Sequence, residues 1–131
     1  MLSRAHARAQ AIRVEAFAAA GSTGYLSRLL ASLADEGTAS QAELSRRTGI
    51  DPSDVVAAVN DLTARKFVTR ERDPLDARRN VIALTSTGRS ELARLDKVVA
   101  DVQERFLAPL SEPDRRHLQR ILTKLAADDT R

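Results

Sequence analysis

The chain has 131 residues, 43% of them apolar, no cysteine, and a formal net charge of +3. That length suits one folded core with appended helices. The missing thiol excludes disulfides, thiolate nucleophiles and thiol-based redox switching, and no apolar run approaches the roughly 18 residues a membrane-spanning helix needs.

The first residues, MLSRAHARAQAIRVEAFAAA, are rich in Arg and Ala. They lack the continuous apolar stretch of a secretory signal. An amphipathic organelle-targeting segment shares this pattern, but Glu15 and the turn that follows fit a structural helix at least as well. The expected location is the cytoplasm. A helix over residues 4–19 turns Ile12, Ala16 and Ala19 toward a partner, with Phe17 near the same stripe. His6 falls near an end expected to be disordered.

Gly21-Ser22-Thr23-Gly24 breaks this helix. A second runs from about Tyr25 to Asp35, with Leu26, Leu29, Leu30 and Leu33 on one side and Gly37 at its end. Tyr25 and Arg28 put a ring and a cation on one helix face. They are either a ligand-binding pair or a surface pair that covers the helix.

Ser40-Gln41-Ala42-Glu43 is a capping box, a hydroxyl three residues before a carboxylate. It opens a short helix that contains Leu44 and ends at Thr48-Gly49. Asp51 is the next cap, and Pro52 suits the first helical position because its missing N–H has no partner there anyway. The helix from Pro52 to about Arg65 turns Val55, Val59 and Leu62 inward. Two short helices meeting at Gly49-Ile50 make a connection of helix-turn-helix type.

Val68–Arg72 and Asn80–Leu84 read as short strands, and Asp73-Pro74-Leu75-Asp76 between them favours a turn. Residues 65–79 hold six basic side chains (Arg65, Lys66, Arg70, Arg72, Arg78, Arg79) against three acids (Glu71, Asp73, Asp76), an excess equal to that of the whole chain. A basic loop between two strands, directly after a helix-turn-helix, is a wing.

Beyond Leu84, Thr85 or Thr87 caps a long helix to about Ala108. Leu92, Leu95, Val99, Val102, Phe106 and Leu110 recur along it at steps of three and four. Ser111-Glu112-Pro113-Asp114 starts a final helix with Leu118, Ile121, Leu122 and Leu125 as its seam. A small winged core does not bury both seams, so with the first helix they read as a dimerisation layer. The expected fold is mainly α with a small β wing. Residues 1–36 form N-terminal helices for dimerisation and scaffold, 37–85 the winged helix-turn-helix, and 86–131 the C-terminal dimerisation helices.

In such a unit the second short helix enters the major groove, and the wing lies near the backbone or minor groove. Ser53, Ala57, Asn60 and Ala64 share one helix face. Asn60 is suited to read adenine bidentately, Ser53 to bond a phosphate or base edge, and the alanines to touch thymine methyls. Alternatively, Ser53 only opens the helix and Asn60 is solvated. The face has no Arg or Lys, and Asp54 and Asp61 nearby would repel phosphate. Arg46 and Arg47 on the preceding helix offset that.

A single surface arginine defaults to a solvated charge, but the cluster of Arg70, Arg72, Arg78 and Arg79 argues for backbone contact. Asp76 either accepts from Arg78 and braces the wing, or satisfies its own turn. Strand alternation points Arg78 and Arg79 opposite ways. Arg78 is the favoured DNA-facing residue and Arg79 the alternative. Enzyme chemistry finds no support. There is no G-x-G-x-x-G or G-x-x-x-x-G-K-[ST], and His6 and His117 are far apart with no metal-site spacing. No cofactor or metal is expected.

At Asp73-Pro74-x-Asp76-x-Arg78, followed by Val81-Ile82-Ala83-Leu84-Thr85-x-x-Gly88, the sequence resembles the MarR family of bacterial transcriptional regulators. Gln41-Ala42-Glu43-Leu44 and Pro52-Ser53 with Val59 and Leu62 match the same family upstream. The resemblance runs from about Leu26 to Leu125 and is weak before that. It implies a homodimer on palindromic double-stranded DNA, often a repressor, released when a small anionic or aromatic compound binds between the dimer helices and the winged domain. It places the recognition helix on 52–65 and the wing on 70–80, with Gln41 among the DNA-facing positions, Asp76 bracing and Arg78 in the minor groove.

Three departures stand out: Val56-Ala57-Ala58 where relatives often carry a polar or basic residue, Lys66 where many have Gly, and the shifted Ala77-Arg78-Arg79. A non-glycine at 66 must tolerate or avoid positive φ. The leading expectation is a ligand-modulated DNA-binding regulator that needs no membrane. The alternative is a winged-helix protein-interaction module, favoured by the apolar recognition face beside Asp54 and Asp61.

Overall fold

A computed structural model of the protein describes residues 1–127. In chain order the elements are α1 (Leu2–Ala19), α2 (Gly24–Glu36), α3 (Gln41–Thr48), α4 (Pro52–Ala64), β1 (Val68–Asp73), β2 (Asp76–Leu84), α5 (Ser86–Leu107) and α6 (Glu112–Leu125). Among the described residues no helix is long and apolar enough to cross a membrane. His6 lies inside α1 on its exposed side. The run of alanines and arginines around it keeps helical propensity to the second residue, which corrects the expectation of a disordered end.

The helix boundaries follow local chemistry. The Thr23 hydroxyl accepts from Leu26 N–H at 3.3 Å. Ser40 and Glu43 close the capping box from both sides, and Gly49 ends α3 at φ 71°, where a side chain would be strained. Asp51 caps α4 with Pro52 in its first turn, Thr85 caps α5 and Ser111 caps α6. Lys66 does take φ 66°. Its N–H still finds the Thr63 carbonyl at 3.0 Å and the next N–H finds Leu62 at 2.9 Å, so the turn out of α4 is held without glycine.

One core joins these elements. Leu26, Leu29, Leu30 and Leu33 of α2 meet Leu44, Ile50, Val55, Val59 and Leu62 of the helix-turn-helix, Val68 and Ile82 of the hairpin, and Leu95 of α5. Losing one such buried leucine to alanine costs about 2–5 kcal/mol, far more than any surface ion pair, so this cluster positions everything else. Ala39 adds a short antiparallel bridge to Ile82, with N···O distances of 2.6 and 3.2 Å.

The wing is more strand than loop. β1 and β2 pair antiparallel from Val68↔Leu84 to Asp73↔Asp76, with an irregularity between Arg72 and Asp73. Only Pro74 and Leu75 remain as the tip. The expected second strand began at Asn80, but it begins at Asp76. Asp73 accepts the Leu75 N–H at 2.9 Å and Asp76 accepts the Arg78 N–H at 3.0 Å, and these two side-chain bonds close the turn tightly enough for pairing to reach it.

The root of the hairpin is fastened to α5. The Thr85 hydroxyl donates to the Lys66 carbonyl at 2.8 Å, and the Phe67 carbonyl accepts the Thr85 N–H at 3.1 Å. Gly88 packs directly beneath, where an added Cβ would lie 2.0 Å from the Phe67 oxygen.

The two apolar seams fare differently. α1 runs along α5 within the same chain, with Phe17 and Leu95 buried and Ile12 and Ala16 half-buried, while Ala19 is exposed. Arg8 lies over the Phe106 ring at 5.1 Å and donates to its carbonyl at 2.8 Å. α6 buries no residue, and Ile121, Leu122 and Leu125 stand open.

Candidate nucleic-acid interface

The exposed side of α4 carries Ser53, Val56, Ala57, Asn60 and Ala64. Both polar side chains on it already make a hydrogen bond. The Ser53 hydroxyl and N–H both bond to the Asp51 carboxylate. Those bonds, the hydroxyl first, hold the Asp51 carboxyl below its usual range. The Ser53 hydroxyl thus donates to Asp51 and leaves its lone pairs toward solvent. Asn60 Oδ1 accepts from the Arg70 guanidinium on β1, so the recognition helix and the wing strand are joined at this residue. Asp61 is paired at 2.7 Å with Arg65, which largely removes its repulsion toward phosphate.

The four wing arginines separate into distinct environments. Arg78 is 94% exposed, with Asp76 Oδ1 at 3.5 Å from its Nε. Arg79 is 44% exposed and turned back onto Glu43 of α3 and Asp73 of β1. Arg72 is exposed with no ion pair among the described residues. Arg70 donates to Asn60. An exposed ion pair is worth roughly 0–1 kcal/mol, so Arg78 and Arg79 can be released at little cost, and Arg72 needs no release.

Of the α3 positions, Arg46 is exposed and makes no ion pair among the described residues. Arg47 is already bonded. It donates to the Gly37 carbonyl at 2.9 Å and pairs with Glu36 at 3.2 Å, with its side chain only 18% exposed. It satisfies the bare carbonyls at the end of α2, a structural use that competes with the phosphate contact expected from the sequence. Gln41 is half-buried at the start of α3 and shares a small groove with Arg70, Asn80 and Ile82.

A second feature lies on the other side of α2. A cavity of about 530 Å³ is lined by Gln10, Arg13, Val14 and Phe17 of α1, by Ser22 and Thr23 of the connection, and by Tyr25 and Arg28 of α2. The Arg28 guanidinium lies 5.3 Å from the Tyr25 ring centre and reaches the Thr48 carbonyl at 3.4 Å. Ser22 is 8% exposed and its hydroxyl has no hydrogen-bond partner. Two guanidiniums, an aromatic face and an unpaired buried hydroxyl suit a small planar anion. The sequence placed Tyr25 and Arg28 on one face but had no signal for Arg13 or Ser22, which arrive only by folding α1 across α2.

Just behind the cavity, Arg65 donates to the Gly21 carbonyl at 2.7 Å and Arg94 to that of Ala20 at 2.9 Å. The hydrogen bond from Arg94 to the buried Glu91 raises the Arg94 pKa and keeps it charged.

Comparison with known proteins agrees with this architecture. A family profile described as MarR family matches residues 27–79. A regulatory protein ascribed to the hcr operon of Thauera aromatica is 31% identical over 84% of this chain and 66% of its own length. The HTH-type transcriptional repressor NicR of Pseudomonas putida is 30% identical over 76% of this chain and 63% of its own. The chain thus spans about two thirds of the length of these relatives. The structure of BpsR from Bordetella bronchiseptica, described for regulation of its DNA binding by 6-hydroxynicotinic acid, superposes with a TM-score of 0.80 at 26% identity, covering 98% of this chain and 91% of that one. A six-helix chain with a two-stranded wing, matched to BpsR over 98% of its length and to the two regulators over 84% and 76%, belongs to the MarR family of winged helix-turn-helix transcriptional regulators, not to a family of enzymes.

Proposed function

We propose that the chain acts in the cytoplasm as a homodimeric transcriptional repressor. It binds a palindromic operator in double-stranded DNA and releases it when a small anionic aromatic compound enters the cavity between α1 and α2. The observation that carries the DNA reading is the pair of exposed wing cations, Arg72 with no ion pair among the described residues and Arg78 with only an exposed pair to Asp76, on the hairpin that Arg70 joins to Asn60 of α4. Repression is supported by the naming of NicR, and ligand release by the description of BpsR. Two-fold symmetry of a dimer through residues 1–36 and 86–131 would duplicate the wing and impose a palindrome. The open face of α6 supports that dimer.

With the Ser53 hydroxyl bonded to Asp51, no Arg or Lys on the face and Ala57 offering a methyl, the recognition face makes few donor contacts, so wing cations and Arg46 supply much of the affinity. Such binding falls steeply with salt, because each neutralised phosphate releases a counterion. Fluorescence anisotropy on an operator selected from genomic fragments, over a salt series, tests this. Arg78→Ala is expected to weaken binding and lower the salt slope by about one per monomer. Unchanged affinity and slope would remove Arg78 from the interface.

The interaction-module reading rests on Val56, 43% exposed, and the exposed Ala57 beside it. A protein that binds no duplex at low salt would favour it.

A further inference from the structure

The contact between Asn60 of α4 and Arg70 of β1 fixes more than the wing. An arginine side chain has five N–H donors and no acceptor. The atom of Asn60 that meets it is therefore the carbonyl oxygen, and the orientation of the amide follows from that chemistry alone. The amide's N–H2 end is then the free end. Asn60 is exposed, and Arg70 also lines the groove that it shares with Gln41 and Asn80. Together the pair offers N–H donors and only one remaining lone pair.

Bidentate reading of adenine needs one donor for N7 and one acceptor for the N6 amino group. Using the spare lone pair of Asn60 for that amino group would bring its hydrogens against a guanidinium that already donates to the same oxygen. The oxygen can accept both bonds, but the cation would then face the positive amino edge of the base. Guanine presents two acceptors, N7 and O6, side by side, and the Asn60 amide together with an Arg70 N–H supplies two donors. We propose that Asn60 and Arg70 act as one donor-only reader, that the base it selects in the major groove is guanine, and that Arg70 is the specificity-determining residue because it sets which end of Asn60 faces the DNA. This reverses the adenine preference expected from Asn60 by itself, and it rests on the DNA-binding reading above.

The test is selection from a randomised duplex library at low salt with the full-length protein, followed by sequencing of the bound fraction. The wild type, Asn60→Ala and Arg70→Ala proteins are compared after circular dichroism confirms that each is folded. The position read by the pair is the one whose preference disappears in Asn60→Ala. Guanine is expected there for the wild type. Arg70→Ala frees the Asn60 carbonyl, and the preference at that position is expected to change to adenine, a reversal of roughly tenfold in relative affinity.

Adenine in the wild-type selection, or guanine retained in Arg70→Ala, overturns the proposal while leaving the DNA-binding reading intact. An Asn60→Ala protein with no position altered overturns it as well. Complete loss of binding by Arg70→Ala at low salt would assign Arg70 to a phosphate and also overturn it. Failure of the wild type to bind any duplex would sink the DNA-binding reading itself.

Discussion

At the scale of single residues, two positions carry consequences for stability that composition does not disclose. Gly88 sits in the first turn of α5, where helix propensity would favour alanine by about 1 kcal/mol. The Phe67 carbonyl beneath it reverses that preference, since a backbone oxygen held by two bonds from Thr85 cannot move aside. Gly88→Ala is expected to destabilise the fold by about 1–3 kcal/mol, read as a lowered denaturation midpoint. The second position is Asp51. Its carboxyl is held below the usual range by Ser53 in the folded chain, so it contributes to stability above its unfolded pKa, and that contribution is lost as pH falls through the lower, folded value. The stability difference between wild type and Asp51→Ala should therefore be constant at neutral and mildly acidic pH and shrink only in strong acid, as thermal melts over an acid series would show. Gly88 was visible in the sequence as part of a family motif. The reason for it was not, because its partner lies 21 residues away across the hairpin.

At the scale of elements, what the sequence showed well was what neighbours decide. The capping box at Ser40, the αL glycine at 49 and the Asp51-Pro52 start bound α3 and α4 to within a residue, because each cap bonds its own first turn. The wing's length was misjudged because Asp73 and Asp76 look like turn residues and are, yet their bonds tighten the turn until strand pairing reaches it. The Ala39 bridge had no signal, being a single residue paired across the chain. The seams after Leu84 were read as equivalent, and they are not. Leu95 is fully buried within one chain, whereas Leu122 is 46% exposed. A charge at Leu95 therefore tests folding, not assembly. Leu122→Glu is expected to give a folded monomer in sedimentation at micromolar concentration, with helical content kept, while Leu95→Glu is expected to unfold, since burying an unpaired charge costs several kcal/mol. A Leu122→Glu protein that stays dimeric would take α6 out of the interface.

Across the whole molecule, the cavity and the DNA-facing elements share parts. Arg28 lines the cavity and also touches the last carbonyl of α3, and Arg65 runs from the end of α4 to the loop that walls the cavity. In calorimetry with aromatic carboxylates, 6-hydroxynicotinate among them, Arg28→Ala is expected to weaken binding tenfold or more, as loss of one charge-assisted bond of about 1.5–3 kcal/mol implies. Equal heats for wild type and variant would move the anion site elsewhere. The bonding of Lys66, Phe67, Thr85 and Gly88 has a mechanical consequence as well. It welds the hairpin to one end of α5, a 22-residue rod about 33 Å long. A tilt of only a few degrees at the far end of that rod sweeps the wing sideways by about 2 Å, comparable to the spacing between neighbouring phosphates along the duplex axis. In the proposed dimer, the reach from one wing tip to its twin would therefore be set by how two α5 rods cross, not by any residue in the wing, and substitutions deep in the helical layer would retune operator spacing without touching a DNA contact.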